Sequence, residues 1–120
     1  MGLSARDRNR KIVIERNMLV EDDELGGEVL RWVTWCREWA SISFGTGAER
    51  RAAAQEAGSR PATFQVLANR KTNSLSVTDR ICYPVTDPDP KKWPRWDITS
   101  IVESKDPRRG WDVTAMVVAA

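Results

Sequence analysis

The chain has 120 residues and a mass of 13.6 kDa, enough for one modest hydrophobic core and too little for two domains. Hydrophobic residues make up 41% and charged residues 30%, and 19 Lys and Arg against 17 Asp and Glu leave +2, too near neutral to advertise a nucleic-acid partner. Histidine is absent, which removes Ser-His-Asp and Cys-His triads and Cys₂His₂ zinc sites, and two cysteines alone cannot build a tetrahedral zinc site. No apolar run is long enough to span a bilayer and no signal-peptide core follows Met1; Cys36 and Cys82 are expected to be reduced, buried thiols of a chain made in the cytoplasm.

Residues 1–10 are polar and arginine-rich, with Arg6, Arg8 and Arg10, and read as a flexible basic arm of one 1–120 domain. The β-branched run Ile12-Val13-Ile14 predicts a first strand over 11–17. Glu21, Asp22, Asp23 and Glu24, followed by Gly26-Gly27, predict an acidic loop and turn over 17–27; such a run is ordinarily a solvated face. Over 28–43, Val, Thr, Trp and Ile dominate and no helix cap precedes them, so a long strand is expected, although Trp32, Trp35 and Trp39 also have helical spacing.

Thr46-Gly47-Ala48-Glu49 is a capping box ahead of an alanine-rich run ended by Gly58, which predicts one short helix over 47–57 with a thin apolar face. Phe64, Val66 and Ala68 alternate with Thr63, Gln65 and Asn69, a strand with one buried face over 62–70. A turn at 71–74 leads to an apolar stretch over 75–83 broken by Thr78-Asp79-Arg80. Four prolines make 84–94 an exposed, stiff loop. Trp96 to Val102 is a strand, 106–110 a turn, and Trp111 to Val118 a last alternating strand. The sum is a mainly β fold, a small antiparallel barrel or sandwich of five to six strands with one short α-helix in a long inter-strand loop.

Candidate chemistry is sparse. Asp87 and Asp89 alternate with prolines and lack a third ligand, so no metal site is assigned. Ser41 and Ser43 have no base at motif spacing, and Gly45-Thr46-Gly47 lacks the rest of a phosphate loop. No catalytic constellation and no cofactor site is found, and an enzyme is not expected. Arg31, Arg37 and the interleaved Trp32, Trp35 and Trp39 would suit a barrel that stacks single-stranded nucleic acid; the plainer reading makes the tryptophans core and the arginines solvated. Six tryptophans in so short a chain imply that some lie at interfaces.

The order of features resembles the head-completion, or stopper, family of bacteriophage head–tail joining proteins, including the equivalent component of gene transfer agents. The stretches that carry it are Asp7-Arg8 before Ile12-Val13-Ile14-Glu15, Gly26-Gly27, Trp39-Ala40-Ser41-Ile42, Gly47-Ala48-Glu49, Phe64-Gln65-Val66 leading to Arg70, Asp79-Arg80-Ile81, Trp96-Asp97-Ile98 to Ile101, and Arg109-Gly110-Trp111. The long proline loop 84–94 and the extra aromatics Trp32 and Trp35 depart from the pattern.

The resemblance implies a structural virion component of the head–tail connector, a ring-forming protein that seals the DNA channel and gives the tail a docking surface. Its implied partners are itself, in a ring of twelve or six copies, a portal-bound adaptor, a tail terminator and packaged double-stranded DNA, with no membrane. The segment matching the family's channel loop is 43–62, which makes Thr46, Gly47, Glu49, Arg50 and Arg51 candidate DNA-facing residues. Arg8, Arg10, Trp32, Trp35 and Trp93 are candidate ring or neighbour-ring contacts. A tail terminator or other neck protein, and more distantly the single-stranded nucleic-acid-binding barrel, are the alternatives.

Overall fold

A computed structural model describes residues 8–22, 24, 26–44, 59–104 and 110–118. Six antiparallel strands close into a barrel: β1 (Arg10–Asp22), β2 (Gly27–Ser43), β3 (Ser59–Leu67), β4 (Arg80–Cys82), β5 (Arg95–Glu103) and β6 (Gly110–Val118), in the spatial order β1-β2-β3-β6-β5-β4. The mainly β expectation holds. Among the described residues the helical turns are 3₁₀ turns at Thr72–Ser74 and Pro90–Lys92. The helix expected over 47–57 and most of the turn expected over 106–110 lie outside the described residues.

Period-two alternation fills the barrel. Ile12, Ile14, Ala40, Ala62, Phe64, Val66, Ile81, Trp96, Ile98, Val113, Ala115 and Val117 form one buried cluster. Phe64 is its centre, with edge-on contacts to Trp96 at 5.4 Å and Tyr83 at 6.0 Å between ring centroids. The Trp96 indole N–H reaches the Tyr83 carbonyl at 2.9 Å, so this large ring enters the core with its one polar group satisfied. Val13 and Cys82, cross-strand partners on the opposite face of β1 and β4, are buried as well.

Three sequence expectations change. The first strand does not stop at residue 17 but runs to Asp22, so the expected acidic loop is largely strand. Cross-strand pairs from Arg16–Val33 to Asp22–Gly27 continue the ladder, and the chain turns only at the tip. There Gly26, at φ 69°, donates its N–H to the Asp22 carbonyl, while the Asp22 side chain accepts from Glu24 N–H.

Strand β3 ends at Leu67, short of the expected 70, because Asn69 leaves the ladder to organise the next turn. Its side-chain oxygen accepts from Lys71 and Thr72 N–H, both at 2.9 Å, and the buried Thr72 hydroxyl donates to the Leu67 carbonyl at 2.7 Å. In 75–83 only Arg80–Cys82 is strand, since Ser76–Asp79 is a turn closed by the Asp79 N–H on the Ser76 carbonyl.

Strands β1 and β2 outrun the barrel. β1 pairs with β4 only at Val13–Glu15, and β2 with β3 only at Ser41–Ser43. Among the described residues, the rest of the two strands is a two-stranded ribbon with no third strand on either edge. A bulge between Ile14 and Glu15 leaves Trp35 as the extra residue of β2, where the ribbon departs from the barrel.

Candidate functional site

An isolated two-stranded ribbon is marginal in water, so this one needs bracing. The braces are charged and aromatic groups on both of its faces.

On one face, Arg16 reaches across to Asp79. Its Nε lies 2.8 Å from Oδ1 and its Nη2 2.8 Å from Oδ2, a bidentate pair, and Nη2 also donates to the Ser74 carbonyl. The Asp79 carboxylate has no solvent exposure and accepts a further bond from Ser76 N–H at 2.9 Å. The Arg16 guanidinium lies 3.8 Å from the Trp35 ring centroid and the Lys71 ammonium 3.9 Å from it, while the Trp35 indole N–H donates to the Lys71 carbonyl at 3.1 Å. Asn69 completes this face by donating to Glu38 at 2.8 Å. The 69–79 segment is thus strapped along the ribbon.

On the other face, Glu15 collects two arginines: Arg80 Nε at 2.8 Å and Arg95 Nε at 3.4 Å from the same carboxylate oxygen. Burial alone would raise the Glu15 pKa; the hydrogen bonds from Arg80 and Arg95 outweigh it and hold the carboxyl below its ordinary value. Arg80 then lies 3.8 Å from the Trp32 ring centroid. Arg95 also ties down the proline loop through the Pro90 and Trp93 carbonyls, and the Trp93 indole N–H closes that loop on the Asp87 carbonyl at 2.7 Å.

The described candidate residues therefore fall in three places. Trp32 and Trp35 sit on the ribbon, each under at least one of the chain's own cations; Trp32 is exposed, whereas Trp35 is partly buried and packs against the core cluster. Trp93 is half-buried in the proline loop, Arg10 is exposed at the start of β1, and Arg8 is partly buried. Thr46, Gly47, Glu49, Arg50 and Arg51 lie outside the described residues.

The residues that organise the region, Glu15, Arg16, Lys71, Asp79 and Arg95, were not singled out from the sequence for a site role. Their partners lie far apart along the chain, 63 residues for Arg16 and Asp79, so no local spacing marks them. The sequence signals that touch them are the motifs ending at Glu15 and starting at Asp79; in Asp79-Arg80-Ile81 the two charged residues brace opposite faces of the ribbon.

Elsewhere, a cavity of about 290 Å³ is lined by Ala68, Asn73, Glu103, Gly110 and Trp111, with the Trp111 indole N–H bonded to the Asn73 side chain. Among the described residues no group of three His, Cys, Asp or Glu side chains is placed to hold a metal ion, and no helix is long and apolar enough to cross a membrane. Cys36 and Cys82 are free thiols, as expected; Cys82 is buried and Cys36 half-buried.

The fold and its braces define a small closed β-barrel that carries a stiffened hairpin arm. The chain belongs to the phage head completion protein family, whose model matches residues 3–118, and so is a component of the head–tail interface of a phage-type virion. Among the solved structures that share the fold are the following two. One is a chain in the virion of a native gene transfer agent particle, 24% identical, with a TM-score of 0.61 over 93% of this chain and 96% of that one. The other is the solution structure of protein SF1141 from Shigella flexneri 2a, 18% identical, with a TM-score of 0.58 over 97% and 98%. A search of curated proteins gives no match.

Proposed function

We propose that this head completion protein acts as a stopper: a non-enzymatic, homo-oligomeric ring that closes the DNA channel below the portal and its adaptor and offers the tail terminator a docking face. The observation that carries the reading is the family match over nearly the whole chain. The shared fold with a chain of a gene transfer agent virion supports it.

Of the 43–62 segment, Ser43 belongs to β2 and Ser59–Ala62 to β3, so in this reading the channel role falls to the stretch between those strands, where Arg50 and Arg51 meet DNA phosphates. Arg8, Arg10, Trp32, Trp35 and Trp93 serve contacts between copies or with the neighbouring ring. The nucleic-acid-binding alternative is the weaker one. It needs ring faces open to bases, and Trp32 and Trp35 already carry Arg80, Arg16 and Lys71.

The test is mass spectrometry of density-purified, DNA-filled particles, with copy number scaled to the portal, beside a deletion of the gene. One ring's worth of copies, and tailless, DNA-leaking capsids on deletion, are expected. Absence of the chain from intact, DNA-filled particles overturns the reading. Within it, Arg50→Glu with Arg51→Glu is expected to impair DNA retention; intact retention removes the channel role from those two arginines.

A further inference from the structure

Directly paired residues of an antiparallel ladder share a face. From the base of the ribbon to its tip, one face therefore presents Lys11 with Trp39, Val13 with Arg37, Glu15 with Thr34, Asn17 with Trp32, Leu19 with Leu30, and Glu21 with Glu28. The middle of this series is occupied by Arg80, which bonds Glu15 and covers Trp32. The two ends are open. At the base, Lys11 and Arg37 are exposed beside Trp39, itself 54% exposed. At the tip, Leu19 and Leu30 are 61% and 63% exposed, followed by the exposed Glu21 and Glu28.

The tip is unfavourable as it stands. Two leucines face water side by side, and two glutamates sit directly opposite one another, a like-charge pair that costs stability in an antiparallel ladder. Asp22 and Glu24 add to the same charge. Among the described residues no cation pairs with Glu21 or Glu28. What the tip lacks, an apolar surface flanked by cations, is what the base of the same face offers in Trp39, Lys11 and Arg37.

We propose that the hairpin tip of one copy docks on the ribbon base of the next, with Leu19 and Leu30 against Trp39, and Glu21 and Glu28 against Lys11 and Arg37. Made with two different neighbours, one at the tip and one at the base, the contact is heterologous and propagates head-to-tail, the geometry a ring requires; made reciprocally between the same two copies it would close a dimer. The inference rests on the ring reading above and assigns the surface that builds it.

The test is zero-length carbodiimide coupling of the full chain, using a mixture of light and ¹⁵N-labelled protein at high concentration. Lys11 and Glu21 are ten residues apart on one extended strand, roughly 33 Å, so the reagent cannot join them within one molecule. Mixed-isotope links from Lys11 to Glu21 or Glu28, with a ladder extending past the dimer, are expected. Glu21→Lys with Glu28→Lys, or Lys11→Glu with Arg37→Glu, should each weaken self-association by roughly tenfold or more, and mixing the two variants should restore it.

Rings joined through other residues would overturn this surface and leave the ring reading standing. A ladder that stops at a closed dimer, or no mixed-isotope link at these positions, would likewise overturn the tip-on-base contact. The place of the chain in the particle is decided separately, by its copy number in virions.

Discussion

Arg16 and Asp79 meet in a two-bond clasp, with both contacts at 2.8 Å, on a carboxylate shut off from solvent. Arg16 belongs to the ribbon and Asp79 to the turn before β4, so the pair fixes the arm to the barrel. The Trp35 ring under the same guanidinium adds area to the joint.

Asp79→Ala should therefore destabilise the fold by about 3 kcal/mol, since it leaves Arg16 and the Ser76 N–H without their acceptor. Arg16→Met should cost a similar amount by stranding a buried carboxylate. Urea unfolding of both single variants and the double should give a coupling of about 2 kcal/mol; additive losses would show that the clasp contributes nothing.

Stability should fall on acidification through Glu15. Its folded pKa lies below the ordinary 4.5, so the stabilisation is complete above that value and is lost as pH falls through the lower, folded one. Glu15→Gln should be less stable at neutral pH and should flatten the part of the acid limb below about pH 4.5. Parallel stability–pH curves for the two proteins would refute the assignment.

The two ribbon tryptophans should differ. Trp35 donates a hydrogen bond to Lys71 and lies beside two cations, whereas Trp32 is 39% exposed under one. Trp35→Ala is expected to cost about 3 kcal/mol and Trp32→Ala about 1 kcal/mol, read from thermal or urea melts. Equal losses would contradict the contrast in packing.

Both thiols should be unreactive in the native state. Burial, the largest influence in each case, pushes Cys36 and Cys82 up to about 12, aided by the carboxylates of Glu38 and Glu15 respectively. At pH 8 both should react with a disulfide reagent at least about tenfold more slowly than in urea. Because the raised pKa favours the neutral thiol in the fold, the stabilisation is present below about pH 9 and is lost as pH rises towards 12.

The strands of the barrel were legible in the sequence because they obey a local rule. Phe64 and Val66 alternate with Thr63 and Gln65, and Val113 and Ala115 with Asp112 and Thr114, and alternation is enough to mark a strand with one buried face. The rule misled at Met18 to Asp22, where charge suggested a loop: in a ribbon beyond the barrel rim no face is buried in a core, so acidic residues can occupy strand positions. It also misled at Asn69, whose side chain competes with the ladder for backbone N–H groups. The order of short motifs carried the family resemblance, because those motifs mark turns and strand starts along the chain.

The sequence by itself determined a small, mainly β antiparallel fold, barrel or sandwich, its core faces and its kinship with head completion proteins, since each follows from patterns within a few residues or from their order. Only the tertiary structure decided that β1 and β2 run on as a braced arm, that Asp79 and Glu15 hold it, and that the tryptophans of the arm lie under arginine and lysine. Those outcomes depend on which residues meet across strand register and barrel closure, between positions as far apart as Glu15 and Arg95, and no local pattern encodes such meetings.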